Sequence, residues 1–254
     1  MLIAVDVGNT HIVIGVFQGT DLKHSFRLQS DIRRTVDEYA LEILGLLNSV
    51  SIDKVQVSQI VVSCVVPALT RVFSKLSVKY FSLQPLIVGP GVKTGISIAV
   101  DDPRSVGADR IVNAVAAREL YGAPIIVVDL GTATTFDVVS ARGSYEGGVI
   151  APGLVISADA LFNRAAMLPS IELKRPHHVL GKNTVDSMLS GIVFGYAALI
   201  DGIIKRLKSD LGRDVRVVAT GGLSHLIAPE TEYMKDIDGD LTLKGLQIIA
   251  ALNE

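Results

Sequence analysis

The sequence is short of the residues that mark several classes of protein. Among its 254 residues there is no Trp and a single Cys, Cys64. One cysteine excludes an intramolecular disulfide framework, fits a reducing compartment and predicts a side chain that packs as a small apolar group. With no Trp and 49 % hydrophobic residues, the core is predicted to be aliphatic, which suits strands covered on both faces by helices.

The chain also lacks an excess of charge of either sign. Its 24 Lys and Arg residues and 26 Asp and Glu residues leave a formal net charge of −2. This balance provides no overall electrostatic attraction for nucleic acid or for an anionic membrane, although local basic clusters are compatible with it. The composition therefore predicts no nucleic-acid partner and no membrane partner.

Neither a signal peptide nor a membrane-spanning helix is predicted. The N-terminal apolar stretch has no positively charged region ahead of it, and Asp6 interrupts it early. The longest apolar span, residues 188–204, contains Gly191, Gly195 and Asp201, and is predicted to be a buried helix. These features, with the single cysteine, favour a cytoplasmic location.

Several familiar sites are excluded by their spacing. A P-loop requires Gly, four residues and then Gly-Lys-Ser or Gly-Lys-Thr, but Lys93 follows Val92 and Lys182 precedes Asn183. Residues 89–94 have two of the three glycines of a dinucleotide-binding turn, with Thr in the third place. The five His residues are scattered without metal-ligand spacing, and no Ser lies in a nucleophile elbow, so zinc and Ser-His-Asp chemistry are not predicted.

Two stretches of the chain, one in each half, have nearly the same pattern. They occupy residues 2–10 and 125–135, and each runs from apolar residues into Asp-x-Gly and then into hydroxyl or amide residues. A buried strand would deliver Asp6 or Asp129 to a strand end, where its carboxylate can hold a metal ion or the water molecules of that ion. The Gly permits a close turn, and the turn amides with Thr or Asn can donate hydrogen bonds to phosphate oxygens. One copy alone would indicate only a tight turn, but two copies predict a repeated phosphate-binding hairpin.

This repeat resembles the first and second phosphate motifs of the superfamily that includes acetate kinase, sugar kinases, heat-shock ATPases and actin. In that superfamily, two ribonuclease-H-like domains close over ATP. The resemblance implies an α/β fold with two ribonuclease-H-like (actin-like ATPase) domains, each a mixed sheet flanked by helices. The expected domains are residues 1–118 and 119–254, and the return of the final helix onto the first domain is left open.

Local patterns predict the elements around these motifs. Strands are expected near 2–7, 12–17 and 24–29, and a capping box at Thr35 and Glu38 predicts a helix through about residue 48. Further expectations are a strand at 60–66, a helix from Pro67, a helix from Asp109 to Gly122, a strand into Asp129 and a second meander to about 150.

Within the superfamily, the chain resembles the type III pantothenate kinases, which commit pantothenate to coenzyme A. The resemblance covers almost the whole chain, and its order and spacing of separated motifs are specific. These motifs are Asp6-Val7-Gly8-Asn9-Thr10, Pro103-Arg104-Ser105-Val106-Gly107-Ala108-Asp109-Arg110, the turn at Asp129, Gly147-Gly148-Val149-Ile150-Ala151-Pro152-Gly153, Gly181-Lys182-Asn183-Thr184, Thr220-Gly221-Gly222 and Asp240-Leu241-Thr242-Leu243-Lys244-Gly245.

The resemblance implies roles for the segment around Asp109. Asp109 matches the catalytic base that accepts the proton of the primary hydroxyl of pantothenate. Arg110 would bind the substrate carboxylate in a bidentate pair, and Gly107 and Ala108 keep the approach to the substrate small. From the residues alone, Asp109 could instead cap its helix and Arg110 could be an ordinary surface cation.

The same resemblance implies an ATP site formed by residues of both halves of the chain. Asp6 would hold Mg²⁺ there, directly or through water. Thr132 would bind phosphate from the second domain. Gly221 and Gly222 would let the backbone approach the adenosine, although a glycine turn that ends a strand is the alternative. The first motif contributes Asp6, Val7, Gly8, Asn9, Thr10, His11, Ile12 and Val13.

Two further residues acquire roles only from the family. Asp129 corresponds to the ligand of a monovalent cation, K⁺ or NH₄⁺, whereas the residues alone would assign it to magnesium. Thr184 matches a residue that contacts pantothenate from the neighbouring subunit. The resemblance therefore implies a homodimer with a shared active site and isologous contacts.

One position departs from the family pattern. Many members carry a Tyr shortly before the Pro of the Gly-Ala-Asp-Arg segment, where this chain has Val100 followed by Asp101 and Asp102. Val100 would remove a hydroxyl contact to the substrate if that Tyr makes one, while Asp109 and Arg110 remain.

The function that these observations predict is ATP-dependent phosphorylation of pantothenate to 4′-phosphopantothenate, the first step of coenzyme A biosynthesis, in the cytoplasm. One alternative is a kinase of another small alcohol, because a fold does not fix its substrate. The other is a catalytically silent regulatory or binding relative, because the family's relatives include an accessory factor first noted for an effect on gene expression. Intact phosphate motifs and the lack of a helix-turn-helix or basic stripe disfavour the silent relative.

Overall fold

The computed structural model describes residues 1–165, 168–212 and 214–254. Its strands are β1 (Leu2–Val7), β2 (His11–Gln18), β3 (Asp21–Gln29), β4 (Gln59–Cys64), β5 (Leu86–Ile87), β6 (Ile125–Leu130), β7 (Ala133–Val139), β8 (Tyr145–Pro152), β9 (Arg216–Thr220) and β10 (Asp236–Ile237). Its helices are α1 (Val36–Ser49), α2 (Pro67–Phe81), α3 (Ala108–Tyr121), α4 (Leu154–Arg164), α5 (Thr184–Leu211), α6 (Ser224–Ile227) and α7 (Leu241–Ala251).

The residues form two compact units. Unit 1 contains residues 1–97, 101–119 and 240–254, and unit 2 contains residues 98–100 and 120–239. Each unit is therefore assembled from more than one segment of the chain. The division into domains at 118 and 119 stays a prediction.

The sheet of unit 1 has the order β3-β2-β1-β4-β5. Strand β1 pairs antiparallel with β2 and parallel with β4, so both of its edges are hydrogen-bonded. Apolar side chains alternate along these strands, and those that face α1 and α2 join one core cluster. That cluster includes Ile3, Val5, Val7, Ile12, Ile14, Ile60, Val62, Tyr39, Ile43, Leu69 and Phe73.

The sheet of unit 2 repeats this topology, with the order β10-β9-β6-β7-β8. Strand β6 pairs antiparallel with β7 and parallel with β9, as β1 does with β2 and β4. The internal repeat of the sequence is thus a repeat of structure. The predicted α/β class, with two mixed sheets flanked by helices, is confirmed.

Local signals account for the ends of several helices. Helix α1 begins with the predicted capping box, in which Thr35 Oγ1 accepts from Glu38 N and the Glu38 carboxylate accepts from Thr35 N at 2.7 Å. Helix α2 begins with Pro67, where the missing N–H leaves no helical hydrogen bond unmade. These features act within a few residues, so the starts of both helices can be read from the local sequence.

Helix α7, near the end of the chain, packs against β1, β2 and β4 on the opposite face of the first sheet from α1 and α2. It also meets α3, where Thr242 Oγ1 donates to Asn113 Oδ1 at 2.7 Å. A Cβ atom at Gly245 would clash with the carbonyl oxygen of Val112, so the glycine permits the close approach of the two helices. Helix α7 thereby ties the start of α3 to the central strands of unit 1.

Helix α5 contains the apolar span predicted to be a buried helix. By length and composition it could cross a membrane, and 44 % of its most apolar window is buried inside the protein. Its buried side chains Val193, Ile200 and Ile204 belong to the core cluster of unit 2. One face of α5 thus packs in the core of unit 2. A core helix can be as long and as apolar as a membrane-spanning helix.

Candidate active site

The first turn connects β1 to β2. Gly8 N donates to His11 O at 3.0 Å, which closes the turn directly after Val7. Asn9, Thr10 and His11 are exposed at this strand end. A Cβ atom at Gly8 would lie 3.0 Å from His11 O, so the glycine keeps this turn narrow.

The apolar residues of the first motif lie in the paired strands β1 and β2, not at the exposed turn. Val7 and Ile12 are fully buried in the core cluster of unit 1, opposite each other in the ladder of β1 and β2. Val13 is half-buried and pairs in register with Asp6. These side chains therefore hold the hairpin together and do not line its turn.

Asp6 is half-buried and lies on the face of the sheet opposite the core cluster of α1 and α2. In the parallel ladder with β4, Asp6 is in register with Ser63, a residue with no exposed surface. The ladder continues past the strand end, where Val65 N donates to Val7 O at 3.1 Å. A Cβ atom at Gly107 would lie 3.7 Å from Val65 Cγ1, so this strand end adjoins the start of α3.

Asp109 is the second residue of α3. Gly107 O accepts from Ile111 N at 3.3 Å, so Gly107 precedes the first turn and Asp109 is not the N-cap residue. Its Oδ1 accepts from Arg110 N at 2.8 Å, which satisfies one of the free first-turn amides. A Cβ atom at Gly107 would lie 2.5 Å from Asp109 Oδ1, so the glycine leaves space for this carboxylate.

Burial raises the pKa of the Asp109 carboxyl above its ordinary value, and the hydrogen bond from Arg110 N and the positive charge of Arg110 oppose the rise. Desolvation is the larger of these effects. Arg110 and Ala108 are half-buried beside it. The turn therefore combines a partly desolvated carboxylate with a cation.

The second turn connects β6 to β7 in unit 2. Gly131 N donates to Ala133 O at 3.1 Å, as Gly8 N does to His11 O in unit 1. Thr132 is exposed at this turn, and Asp129 is half-buried at the strand end. Gly153, which follows β8, comes so close to the carbonyl oxygens of Gly131 and Thr132 that a Cβ atom there would clash with both.

The predicted Gly221 turn lies directly against Asp129. Gly221 has a φ of +89°, and a Cβ atom there would lie 2.6 Å from Asp129 Oδ1 and 2.7 Å from Leu130 N. Both the positive φ and these close contacts exclude any side chain at this position. Gly222 is exposed beside it, and Ser224 Oγ donates to Gly221 O at 2.8 Å. Asp129, Thr132 and Gly221 are thus neighbours in unit 2.

Sequence reasoning missed a set of buried polar residues in unit 2. Asp137 and Tyr145 have no exposed surface, and Tyr145 Oη donates to Asp137 Oδ1 at 2.7 Å. Thr135 Oγ1 donates to the same carboxylate at 3.1 Å. The available signal was an Asp between the apolar residues Phe136 and Val138 of a predicted strand, where a buried carboxyl group requires hydrogen-bond partners.

Tyr196 was missed as well. Its Oη hydrogen-bonds Thr134 Oγ1 at 2.6 Å and donates to Pro152 O at 2.8 Å, which links α5 to β7 and β8. Burial raises the pKa of the Tyr196 phenol, so this group stays protonated at neutral pH. No periodicity in the sequence distinguishes this Tyr from an ordinary core residue.

Val100 and Thr184 lie in unit 2. Ala99 N donates to Tyr145 O at 2.8 Å, and Val100 Cγ1 would lie 3.6 Å from a Cβ atom at Gly147, so the segment runs beside β8. Thr184 is the first residue of α5, after the cap Asn183, and is exposed. It lines a groove of about 870 Å³ together with residues of α4 and α5, among them Leu154, Ser157, Leu161, Met188, Gly191 and Leu199.

The donor set suits a partly hydrated Mg²⁺ ion. Within the described residues, no group of three or more His, Cys, Asp and Glu side chains could hold a metal ion by itself. Mg²⁺ commonly keeps several water molecules and takes one or two carboxylates together with substrate phosphates. A single carboxylate beside an exposed turn, as at Asp6, fits that requirement.

Solved structures share the fold of the chain at low sequence identity. A conserved Baf family transcriptional activator from Campylobacter jejuni superposes with a TM-score of 0.64 at 18 % identity, covering 99 % of this chain and 98 % of that one. The activator of the 2-hydroxyisocaproyl-CoA dehydratase from Clostridium difficile, with bound ADPNP, has a TM-score of 0.58 at 12 % identity, with coverages of 99 % and 93 %. At these identities the similarity establishes the fold alone.

Sequence comparisons are more specific. The family model for type III pantothenate kinase matches residues 2–206. The type III pantothenate kinase of Syntrophus aciditrophicus is 50 % identical over 253 residues, covering 100 % of both chains. That of Myxococcus xanthus is 51 % identical over 253 residues, covering 100 % of this chain and 99 % of the relative. The chain therefore belongs to the type III pantothenate kinase family.

Proposed function

We propose that this protein transfers the γ-phosphoryl group of ATP to the primary hydroxyl of pantothenate, which gives 4′-phosphopantothenate in the first step of coenzyme A biosynthesis. The observation that carries the proposal is identity of 50 % over the full length of a type III pantothenate kinase. Both phosphate motifs and the Gly107-Ala108-Asp109-Arg110 segment are intact in this chain.

Phosphoryl transfer passes through a loose transition state that requires positioning and charge neutralisation more than covalent chemistry. Asp109 accepts the proton of the attacking hydroxyl. Its partial burial supports this role, because a raised pKa brings the carboxylate nearer to the basicity that a general base needs at neutral pH. Gly107 supports it too, because the missing Cβ leaves the space in which Asp109 Oδ1 lies.

Arg110 binds the carboxylate of pantothenate and orients its hydroxyl toward ATP. A guanidinium group next to the base can form two parallel hydrogen bonds with a carboxylate, which fixes both position and angle. Gly107 and Ala108 carry no bulky side chain, so the substrate can approach Asp109 closely. Val100 offers the substrate an apolar side chain, in place of the Tyr that the family resemblance implies.

ATP binds through the two glycine turns. In unit 1 the amides and side chains of Gly8, Asn9 and Thr10 donate to phosphate oxygens, and Asp6 holds Mg²⁺ directly or through water. Mg²⁺ would neutralise charge on the phosphates during transfer. In unit 2 Thr132 donates to phosphate, while Gly221 and Gly222 let the backbone approach the adenosine.

Asp129 binds a monovalent cation, K⁺ or NH₄⁺. A weakly hydrated cation can bring positive charge to ATP without the strict octahedral geometry of Mg²⁺. The half-buried carboxylate at the end of β6, pressed against the backbone of Gly221, supports this role.

The protein acts in the cytoplasm as a homodimer in which Thr184 of each subunit contacts pantothenate bound to the other. The groove beside Thr184 supports a second copy as the occupant, because apolar side chains are exposed along α4 and α5. These exposed side chains are Val155, Ile156, Leu161, Val185 and Leu199. An isologous contact would bury the same surface on both subunits.

Product formation tests the proposed activity. The protein is incubated with pantothenate, ATP and Mg²⁺, in parallel with K⁺ and with Na⁺ as the only monovalent cation. We expect 4′-phosphopantothenate in K⁺ and little in Na⁺, because Na⁺ holds its water more tightly. Product in both salts would remove the cation role of Asp129, and no product from folded protein would favour another alcohol substrate or a silent relative.

Asp109→Asn separates catalysis from folding. We expect turnover to fall by about 10²–10⁴-fold, the usual contribution of a general base. The pKa of Asp109 is higher in the folded protein than in the unfolded chain, so folding disfavours its ionised form. Any stability that the protonated group contributes is present below its ordinary pKa. That stability is lost as the pH rises through the pKa of the folded protein. At pH 7 the variant should therefore melt no lower than the wild type.

Turnover by quenched-flow or coupled assay and melting by calorimetry provide the two readouts. A near-normal rate would remove Asp109 from the role of base. A lower melting temperature with a normal rate would instead assign it to stabilising the first turn of α3.

Complementation tests the shared site. Asp109→Asn and Thr184→Arg are each expected to be nearly inactive. When subunits of the two variants exchange, activity should recover to about one quarter of wild type, because half of the dimers are mixed and each has one intact site. Differently tagged subunits verify the exchange, and mixed dimers without recovered activity would contradict a site that draws Thr184 from the neighbour.

A further inference from the structure

Ser63 is a buried hydroxyl residue that the catalytic roles above leave unused. Its side chain has no exposed surface, and no described protein atom forms a hydrogen bond with its Oγ. A buried hydroxyl without a partner is costly, so such a group is usually satisfied by an ordered water or a ligand. Most buried serines avoid this cost locally, as Ser77 does by donating to Phe73 O at 2.8 Å.

The register of the sheet places Ser63 beside Asp6. The two residues are in register in the parallel ladder of β1 and β4. Side chains of registered residues point to the same face of a sheet. Ile60 and Val62 join the core cluster on the other face, so Ser63 faces away from α1 and α2, as Asp6 does.

The chain that follows Ser63 approaches the turn before Asp109, the proposed base. Val65 follows Ser63 by two residues, just past the end of β4; its N donates to Val7 O at 3.1 Å, and its Cγ1 would be 3.7 Å from a Cβ atom at Gly107. Ser63 therefore lies near the end of the interior strand β4, with Asp6 in register on the neighbouring strand β1 and the segment that adjoins the Gly107 turn two residues further along the chain. The hydroxyl of Ser63 thus lies on the same face of the sheet as the carboxylate of Asp6, one strand away.

Unit 2 contains the equivalent pair. Asp129 is in register with Thr220 in the parallel ladder of β6 and β9, and Thr220 is 2 % exposed. In both repeats the strand-end Asp thus has a buried hydroxyl residue on its parallel neighbour. Apolar residues fill the remaining buried positions of both neighbouring strands, Ile60, Val61 and Val62 in β4 and Val217, Val218 and Ala219 in β9.

We propose that Ser63 is a positioning residue whose hydroxyl hydrogen-bonds a water molecule of the Mg²⁺ ion held at Asp6. This inference rests on the proposed binding of Mg²⁺ and ATP in unit 1. Mg²⁺ keeps several of its water molecules when it is bound by one carboxylate. Each of those water molecules donates hydrogen bonds and therefore requires an acceptor nearby. Ser63 Oγ would accept a hydrogen bond from one such water and so help to hold the hydrated ion at Asp6.

The test measures binding of a non-hydrolysable ATP analogue by calorimetry over a series of Mg²⁺ concentrations. Ser63→Ala should raise the Mg²⁺ concentration that supports half-maximal binding by about 3- to 10-fold, the range of one net hydrogen bond. In EDTA the variant and wild type should bind the analogue equally. Ser63→Thr, which restores a hydroxyl, should recover the wild-type Mg²⁺ dependence.

Ser77→Ala is the matched control, since it also removes a buried serine hydroxyl from unit 1. It should leave the Mg²⁺ dependence unchanged. Melting curves check folding, and Ser63→Ala should melt no lower than wild type, because it leaves no protein group without its partner.

Wild-type Mg²⁺ dependence in folded Ser63→Ala would overturn the inference, as would an equal loss of binding in EDTA. Turnover of pantothenate, measured separately on the wild type, keeps the two proposals distinct. An active wild type with an unaffected Ser63→Ala variant retains the kinase and removes the role of Ser63. If Ser63→Ala shifts the Mg²⁺ dependence but the wild type does not phosphorylate pantothenate, the role of Ser63 is retained and the pantothenate kinase activity is removed.

Discussion

The structure depends on holding a carboxylate at the end of a central strand that is largely buried, once in each unit. Strands β1 and β6 are hydrogen-bonded along both edges, and their apolar side chains, except the half-buried Leu2, are buried on both faces. A slip of one residue in either ladder would turn every side chain to the wrong face. The aliphatic core thereby fixes the positions of Asp6 and Asp129 and of the glycine turns that follow them.

Close backbone approaches complete this arrangement. Gly221 and Gly153 both lie against the turn that follows β6, and neither position has room for a Cβ atom. In unit 1 Gly107 leaves space for the Asp109 carboxylate, and Gly245 lets α7 contact α3. The glycines of the motifs thus act through tertiary contacts as much as through turn geometry, since several of them have no positive φ.

Much of the fold and part of the candidate site follow from local signals. The capping box at Thr35, Pro67 at the start of α2 and the apolar runs that lead into Asp6 and Asp129 predict elements that the structure contains. They succeed because capping, proline geometry and strand burial act over a few residues.

Other features could not be predicted, because they depend on pairing between distant segments. The neighbour of Asp6 is Ser63 only through the parallel register of β1 and β4, and the approach of Val65 to Gly107 requires the same pairing. The Asp137 and Tyr145 pair likewise depends on the register of β7 and β8, which contains an irregularity between Val138 and Val139. Family resemblance supplied roles for Asp109 and Thr184 that neither spacing nor composition contains.

The central claim is that both repeated turns bind the same nucleotide, and its most direct test compares the ATP affinities of Asp6→Asn and Asp129→Asn with that of the wild type. Calorimetry with a non-hydrolysable analogue is performed with Mg²⁺ alone and with Mg²⁺ and K⁺ together. The account predicts that both variants bind more weakly, that Asp6→Asn loses its response to Mg²⁺ and that Asp129→Asn loses its response to K⁺. Wild-type affinity and ion dependence in either folded variant would contradict it.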